Sequence, residues 1–161
     1  MKNTIILLTM LLFSGIGFAQ ESNNGKQLWA KSFLNEKAPE LTVETWISKK
    51  PDTEGKFVII DFWATWCGPC RKAIPELNEI AKEFSKDVVV IGISDEPVEK
   101  IKAMKEPVIE YYYGVDTKKT MDKILEIKGI PHVIIIDPKG IVRWEGFPLL
   151  ENHKLTPEVV K

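Results

Sequence analysis

Three short runs of apolar residues punctuate the chain: Phe57-Val58-Ile59-Ile60, Val88-Val89-Val90-Ile91-Gly92-Ile93 and Val133-Ile134-Ile135-Ile136. They are continuous rather than alternating and rich in β-branched side chains, as expected of strands buried on both faces of a sheet. A fourth candidate, Ile141-Val142-Arg143-Trp144, follows the turn signal Asp137-Pro138-Lys139-Gly140, so the last two runs predict a hairpin. Between the first two strands the period changes. Ile74, Leu77, Ile80, Ala81 and Phe84 recur every three or four residues, which predicts a helix over Cys70–Phe84 with a kink at Pro75. Two further helices are predicted. Pro97–Lys105 has Asp95 as its cap, and Thr117–Ile127 is closed by Gly129. Strand, helix, strand, helix and hairpin together predict an α/β fold with helices on both sheet faces and a right-handed crossover between the first two strands.

The leading segment follows a different pattern. Lys2 precedes the apolar stretch Ile5–Phe13, broken only by Thr9, and Gly17 and Ala19 stand in the small-x-small arrangement of a cleavage site. Residues 1–19 therefore read as a secretory signal peptide. The alternative, an anchor through residues 5–18, is short of the ~20 residues needed to span a bilayer. An extension over residues 20–37, with a loose, polar start at Glu21–Gly25, and one domain over residues 38–161 complete the expected organisation.

Composition narrows the function. In 161 residues the formal charge is -1, which gives no reason to expect a nucleic-acid partner. There are two cysteines, too few for a disulfide framework, and export would place them where a disulfide persists. They lie in Trp66-Cys67-Gly68-Pro69-Cys70-Arg71, between the first strand and the first helix. A Cys-x-x-Cys pair in that position reads as a redox motif. Amides and macrodipole at a helix start favour an anion, and the thiolate is the reactive form of cysteine. Cys67 is thus the expected attacking thiol, and Cys70, one turn further in, the resolving one. Gly68 gives a client chain room to approach, and Pro69 fits the first helical turn. Three plainer readings fare worse. A bridge closing so short a loop is a poor staple. Zinc would need ligands that His132 and His153 do not supply at any usual spacing. Covalent haem would need histidine where Arg71 stands. No metal or cofactor is expected.

Asp61 ends an apolar strand and precedes Phe62-Trp63. Burial would raise its pKa, making it a candidate base for Cys70; the alternative is an exposed cap of the following turn. Gly129-Ile130-Pro131 opens the third run, where proline fits only the first strand position and a cis bond is plausible. His132, expected on the outer face of the strand start, is given no catalytic task.

Asp61-Phe62-Trp63-Ala64-Thr65-Trp66-Cys67-Gly68-Pro69-Cys70 resembles the thioredoxin active-site signature. The Ala-Thr-Trp-Cys form, the leading segment, and Gly129-Ile130-Pro131 followed by Ile-Ile-Asp-Pro-Lys-Gly resemble the exported TlpA/ResA-type branch, over about Ala38 to Gly146. The resemblance implies a thioredoxin fold, with a central mixed sheet and helices on both faces. It implies a cis Pro131 facing the cysteines and client contacts through Trp66, Gly68, Pro69, Ile130 and Pro131. It also implies thiol-disulfide exchange, with reduction favoured by the Gly68-Pro69 dipeptide. The partners it implies are exported clients with disulfides, including apocytochromes awaiting haem, and a membrane thiol-transporting electron donor, with the protein a monomer. Net oxidation or isomerisation, a thiol peroxidase (for which Ala64 replaces the usual Thr or Ser) and a non-catalytic binding module remain as alternatives. Two departures stand out. Thioredoxins carry a lysine near the buried acid, and Val88–Ile93 has none. The family's last helix is represented only by the start signal Thr156-Pro157-Glu158.

Overall fold

A computed structural model describes residues 28–149 and Leu155; the expected signal peptide, the first part of the extension and the Thr156 helix start lie outside them. The described residues form β1 (Thr45–Trp46), β2 (Phe57–Phe62), α1 (Gly68–Glu83), β3 (Val88–Ser94), α2 (Val98–Ala103), β4 (Tyr112–Val115), α3 (Thr120–Leu125), β5 (His132–Ile136) and β6 (Val142–Gly146). The strands make one mixed sheet in the order β1-β4-β3-β2-β5-β6. β2, β3 and β4 run parallel, while β1, β5 and β6 are antiparallel to their neighbours.

The three apolar runs occupy the middle of this sheet, and every residue of β3 is buried. Alternation along the strands divides them between two cores. Ile59, Trp63, Val88, Val90, Val133 and Ile135 pack with α1 and with Ile101 of α2. Ile60, Phe62, Val89, Ile91 and Ile134 pack with Met121 and Leu125 of α3 on the other face. The buried stripe of α1 is Cys70, Ala73, Ile74, Leu77 and Ile80. Each large apolar side chain so buried contributes roughly 1.5–3 kcal/mol. The predicted hairpin forms: Asp137 Oδ1 accepts the N–H groups of Lys139 (2.8 Å) and Ile141 (3.0 Å), and Gly140 supplies the positive φ of 80°.

Several expectations need correction. β1 and β4 carry no apolar run. β4 opens on two tyrosines and ends at Val115, and aromatic side chains suit strands as well as β-branched ones do. Gly114 lets β1 close on β4, since a Cβ there would lie 2.6 Å from Val43 Cγ1 and 2.8 Å from the Thr45 carbonyl. Asp95 does not cap α2, whose start at Pro97 has no side-chain cap. It pairs instead with Lys119 Nζ at 2.6 Å. α3 starts later than predicted because Lys119 is left-handed (φ 57°), with the Asp116 carboxylate accepting the Met121 N–H at 2.7 Å. It ends on left-handed Glu126 (φ 50°) rather than at Gly129. His132 is buried against the Phe62 ring, not on an outer face.

The described part of the extension is tied down at both ends. Lys31 N–H donates to Leu125 O (2.8 Å), Asn35 N–H to Val142 O (2.8 Å) and Lys128 N–H to Trp29 O (2.7 Å). The buried Glu145 carboxylate accepts from Ser32 Oγ and from Phe33 N–H (2.9 Å). Leu155 is buried in the α1-side core.

Candidate functional site

β2 delivers the chain to the top of the sheet, and a four-residue loop, Trp63 to Trp66, leads into α1. Cys67 is the N-cap of that helix, in extended conformation. Its Sγ accepts the Cys70 N–H at 3.2 Å, the role a serine or aspartate oxygen plays at other helix starts. In the reduced protein the same amide and helix terminus favour negative charge on that sulfur. Cys67 and Cys70 are joined as a disulfide, with Cα atoms 5.3 Å apart. Cys67 keeps 4% exposure and Cys70 none. Trp66 beside them is 68% exposed, and a Cβ built on Gly68 would meet nothing within 4 Å beyond its chain neighbours and its own helix backbone. Pro69 sits in the first turn of α1, where a missing N–H costs nothing.

The antiparallel pairing of β2 with β5 sets Phe62 opposite His132, which draws the loop before β5 to the cysteines. The Ile130 carbonyl oxygen lies 3.8 Å from Cys67 Sγ, the Ile130–Pro131 bond is cis, and Pro131 is buried. A groove of about 390 Å³ adjoins, with Trp66 and Ile130 in its wall and Asp95, Lys119 and Asp122 among its polar lining. Burial, and then the neighbouring Asp95, raise the Asp122 pKa.

Asp61 is fully buried. Strand alternation sends it to the same side as Ile59 and Trp63, the side covered by α1. Burial pushes its carboxyl up to about 7, against the hydrogen bond from Tyr111 Oη at 3.4 Å, which acts in the lowering direction. Its other oxygen has no partner among the described residues. Where thioredoxins carry a lysine, the residue beside Asp61 on β3 is Gly92, and the Trp63 and Tyr111 rings close in where a side chain would stand.

Besides Tyr111, a second residue of the site escaped the sequence reading. Glu96, buried just past β3, accepts from Thr65 N–H (2.5 Å) and Thr65 Oγ1 (3.0 Å), and pairs with Lys100 Nζ (2.6 Å). Burial alone would raise its pKa, but Lys100 and Thr65 together bring it below the ordinary value. It pins the loop that ends at Cys67. The available signals were its place at the carboxyl end of a parallel strand and Lys100 four residues on. Among the described residues no group of three His, Cys, Asp or Glu side chains is arranged to hold a metal, and no helix is long and apolar enough to cross a membrane.

Residues 34–145 match the model of the AhpC/TSA family. The chain is 29% identical over 154 residues to the thiol:disulfide interchange protein DsbE of Pseudomonas aeruginosa, covering 89% of this chain and 83% of that one. It is 26% identical over 111 residues to the thiol-disulfide oxidoreductase ResA of Bacillus subtilis, covering 65% and 62%. Among solved structures, the thioredoxin domain of a thiol-disulfide oxidoreductase from Bacteroides vulgatus superposes with a TM-score of 0.61 at 29% identity, over 70% of this chain and 86% of that one.

Proposed function

The chain belongs to the AhpC/TSA family, among its thioredoxin-like thiol-disulfide oxidoreductases, and from that footing we propose that it reduces disulfides in exported client proteins through the Cys67/Cys70 dithiol. The observation that carries the reading is the Cys67 sulfur at the cap of α1, receiving an amide hydrogen bond from Cys70 and lying beside the Ile130 carbonyl.

The Cys67 thiolate attacks one sulfur of the client disulfide, forming a mixed disulfide and releasing one client thiolate. Asp61 accepts the proton of Cys70. The Cys70 thiolate attacks Cys67 Sγ, the enzyme disulfide closes, and the second client thiolate departs to be protonated by water. The client gains two electrons and the dithiol loses them. The extended client segment lies along Ile130 and Pro131, with Trp66, Gly68 and Pro69 forming the opposite wall. Export through residues 1–19 puts this chemistry in the periplasm, where a reductant must be recharged by a membrane thiol-transporting donor. Apocytochromes awaiting haem fit as clients because they need free thiols in an oxidising compartment.

The test uses two variants. Cys70→Ser should hold a disulfide peptide covalently on Cys67, whereas Cys67→Ser should capture nothing; capture on Cys70 would reverse the roles. Direction is read by titration against glutathione. A potential nearer ~−270 mV than ~−120 mV supports reduction, and the opposite result makes the protein an oxidant.

A further inference from the structure

We infer that Tyr111 is a positioning residue for Asp61, its phenol occupying the space that Gly92 leaves beside the carboxylate. The inference rests on the proton-acceptor reading of Asp61 proposed above. Asp61 pairs in register with Gly92 on β3 and with Val133 on β5, neither of which offers a polar side chain. The buried face of α1 contributes one titratable group, Cys70. The Tyr111 hydroxyl, reaching in from the segment before β4, is the donor to Asp61 Oδ2. A Cβ on Gly92 would lie 3.1 Å from the Tyr111 ring and 3.1 Å from Trp63 Nε1, so the missing side chain is what admits both rings. Asp61 Oδ1 and Trp63 Nε1 are both buried without partners among the described residues, which leaves the phenol as the carboxylate's one hydrogen bond among them. Tyr111 itself stays protonated at every working pH, because burial and then the Asp61 charge hold its pKa well above the usual value. It therefore donates throughout the cycle and favours the ionised carboxylate that can accept the Cys70 proton.

The experiment is single-turnover release of a fluorescent peptide thiol from its mixed disulfide on Cys67, followed across pH. It is run in the parent, Tyr111→Phe, Asp61→Asn and the double variant. Loss of one long hydrogen bond should move the midpoint of the release profile up by about half a pH unit in Tyr111→Phe. That halves the rate at pH 7, roughly, and leaves it unchanged at high pH. Asp61→Asn should remove that limb, and adding Tyr111→Phe to it should change nothing. Carboxyl-carbon NMR of oxidised Tyr111→Phe should show the same upward movement of the Asp61 titration, independent of turnover. If Asp61→Asn removes the limb while Tyr111→Phe leaves both midpoints in place, Tyr111 is packing alone and the inference is overturned. An equal slowing by Tyr111→Phe in the Asp61→Asn background overturns it too, since Tyr111 would act by another route. If Asp61→Asn leaves the profile intact, the proton-acceptor reading fails first, and the inference with it.

Discussion

Replacing Asp61 with asparagine should make the protein more stable in neutral solution and slower at its chemistry. The carboxyl titrates near 3.8 in an unfolded chain and at about 7 in the fold, because burial disfavours its charged form. The fold is thus favoured by the protonated acid. That advantage is complete below the unfolded value and is lost as pH rises through about 7. Each pH unit between the two values is worth ~1.4 kcal/mol, so the parent should lose about 4 kcal/mol from this one group between pH 4 and pH 8. Asparagine does not titrate. It brings a fixed cost of about 1 kcal/mol, because its amide nitrogen enters a site with few partners. The difference between mutant and parent should therefore start slightly negative at pH 4 and reach about +3 kcal/mol at pH 8. Against a total stability of ~5–15 kcal/mol this is large. With a urea slope of ~2 kcal/mol per molar, the gap between the two midpoints changes by about 2 M across that range. The assay is urea unfolding of the oxidised proteins by tryptophan fluorescence, with single-turnover peptide reduction beside it. Stability curves that run parallel from pH 4 to pH 8 would refute the reasoning, since Asp61 would then titrate alike in both states.

Two other substitutions probe the frame around the cysteines. Glu96→Ala removes the acceptor of two Thr65 hydrogen bonds and should cost about 1–3 kcal/mol in urea melts. It should also lower kcat/KM toward a disulfide peptide, because the loop ending at Cys67 loses its pin; an unchanged kcat/KM would make Glu96 a purely structural acid. Gly114→Ala forces a methyl group against the Thr45 carbonyl and should destabilise by about 1–3 kcal/mol, while the exchange rate per folded molecule stays at the parent level.

The legible parts of this fold are those whose cause is local. β2, β3 and β5 announce themselves because central strands covered on both faces are apolar throughout, and α1 because one stripe of it meets the sheet. β1, two residues long, has no pattern to read, and β4 substitutes aromatic for aliphatic surface. The boundaries of α3 depend on left-handed Lys119 and Glu126 and on the distant reach of Asp116, none of which periodicity encodes. The site divides in the same way. Cys67, Gly68, Pro69 and Cys70 are contiguous, and the apolar flank of Asp61 foretells its burial. Tyr111 and Glu96 act across 50 and 31 residues of sequence, through sheet pairings that only the fold supplies.

The pairing of β5 with β2 also sets an order of events in time. As the chain is synthesised, Cys67 and Cys70 emerge about sixty residues ahead of Ile130 and Pro131. The two sulfurs precede the loop that frames them, which arrives only when a strand from the far half of the chain inserts beside β2. Until the sheet closes, the Cys67 sulfur lacks the Ile130 carbonyl beside it, so the surroundings of the pair are completed by the half of the chain that follows it.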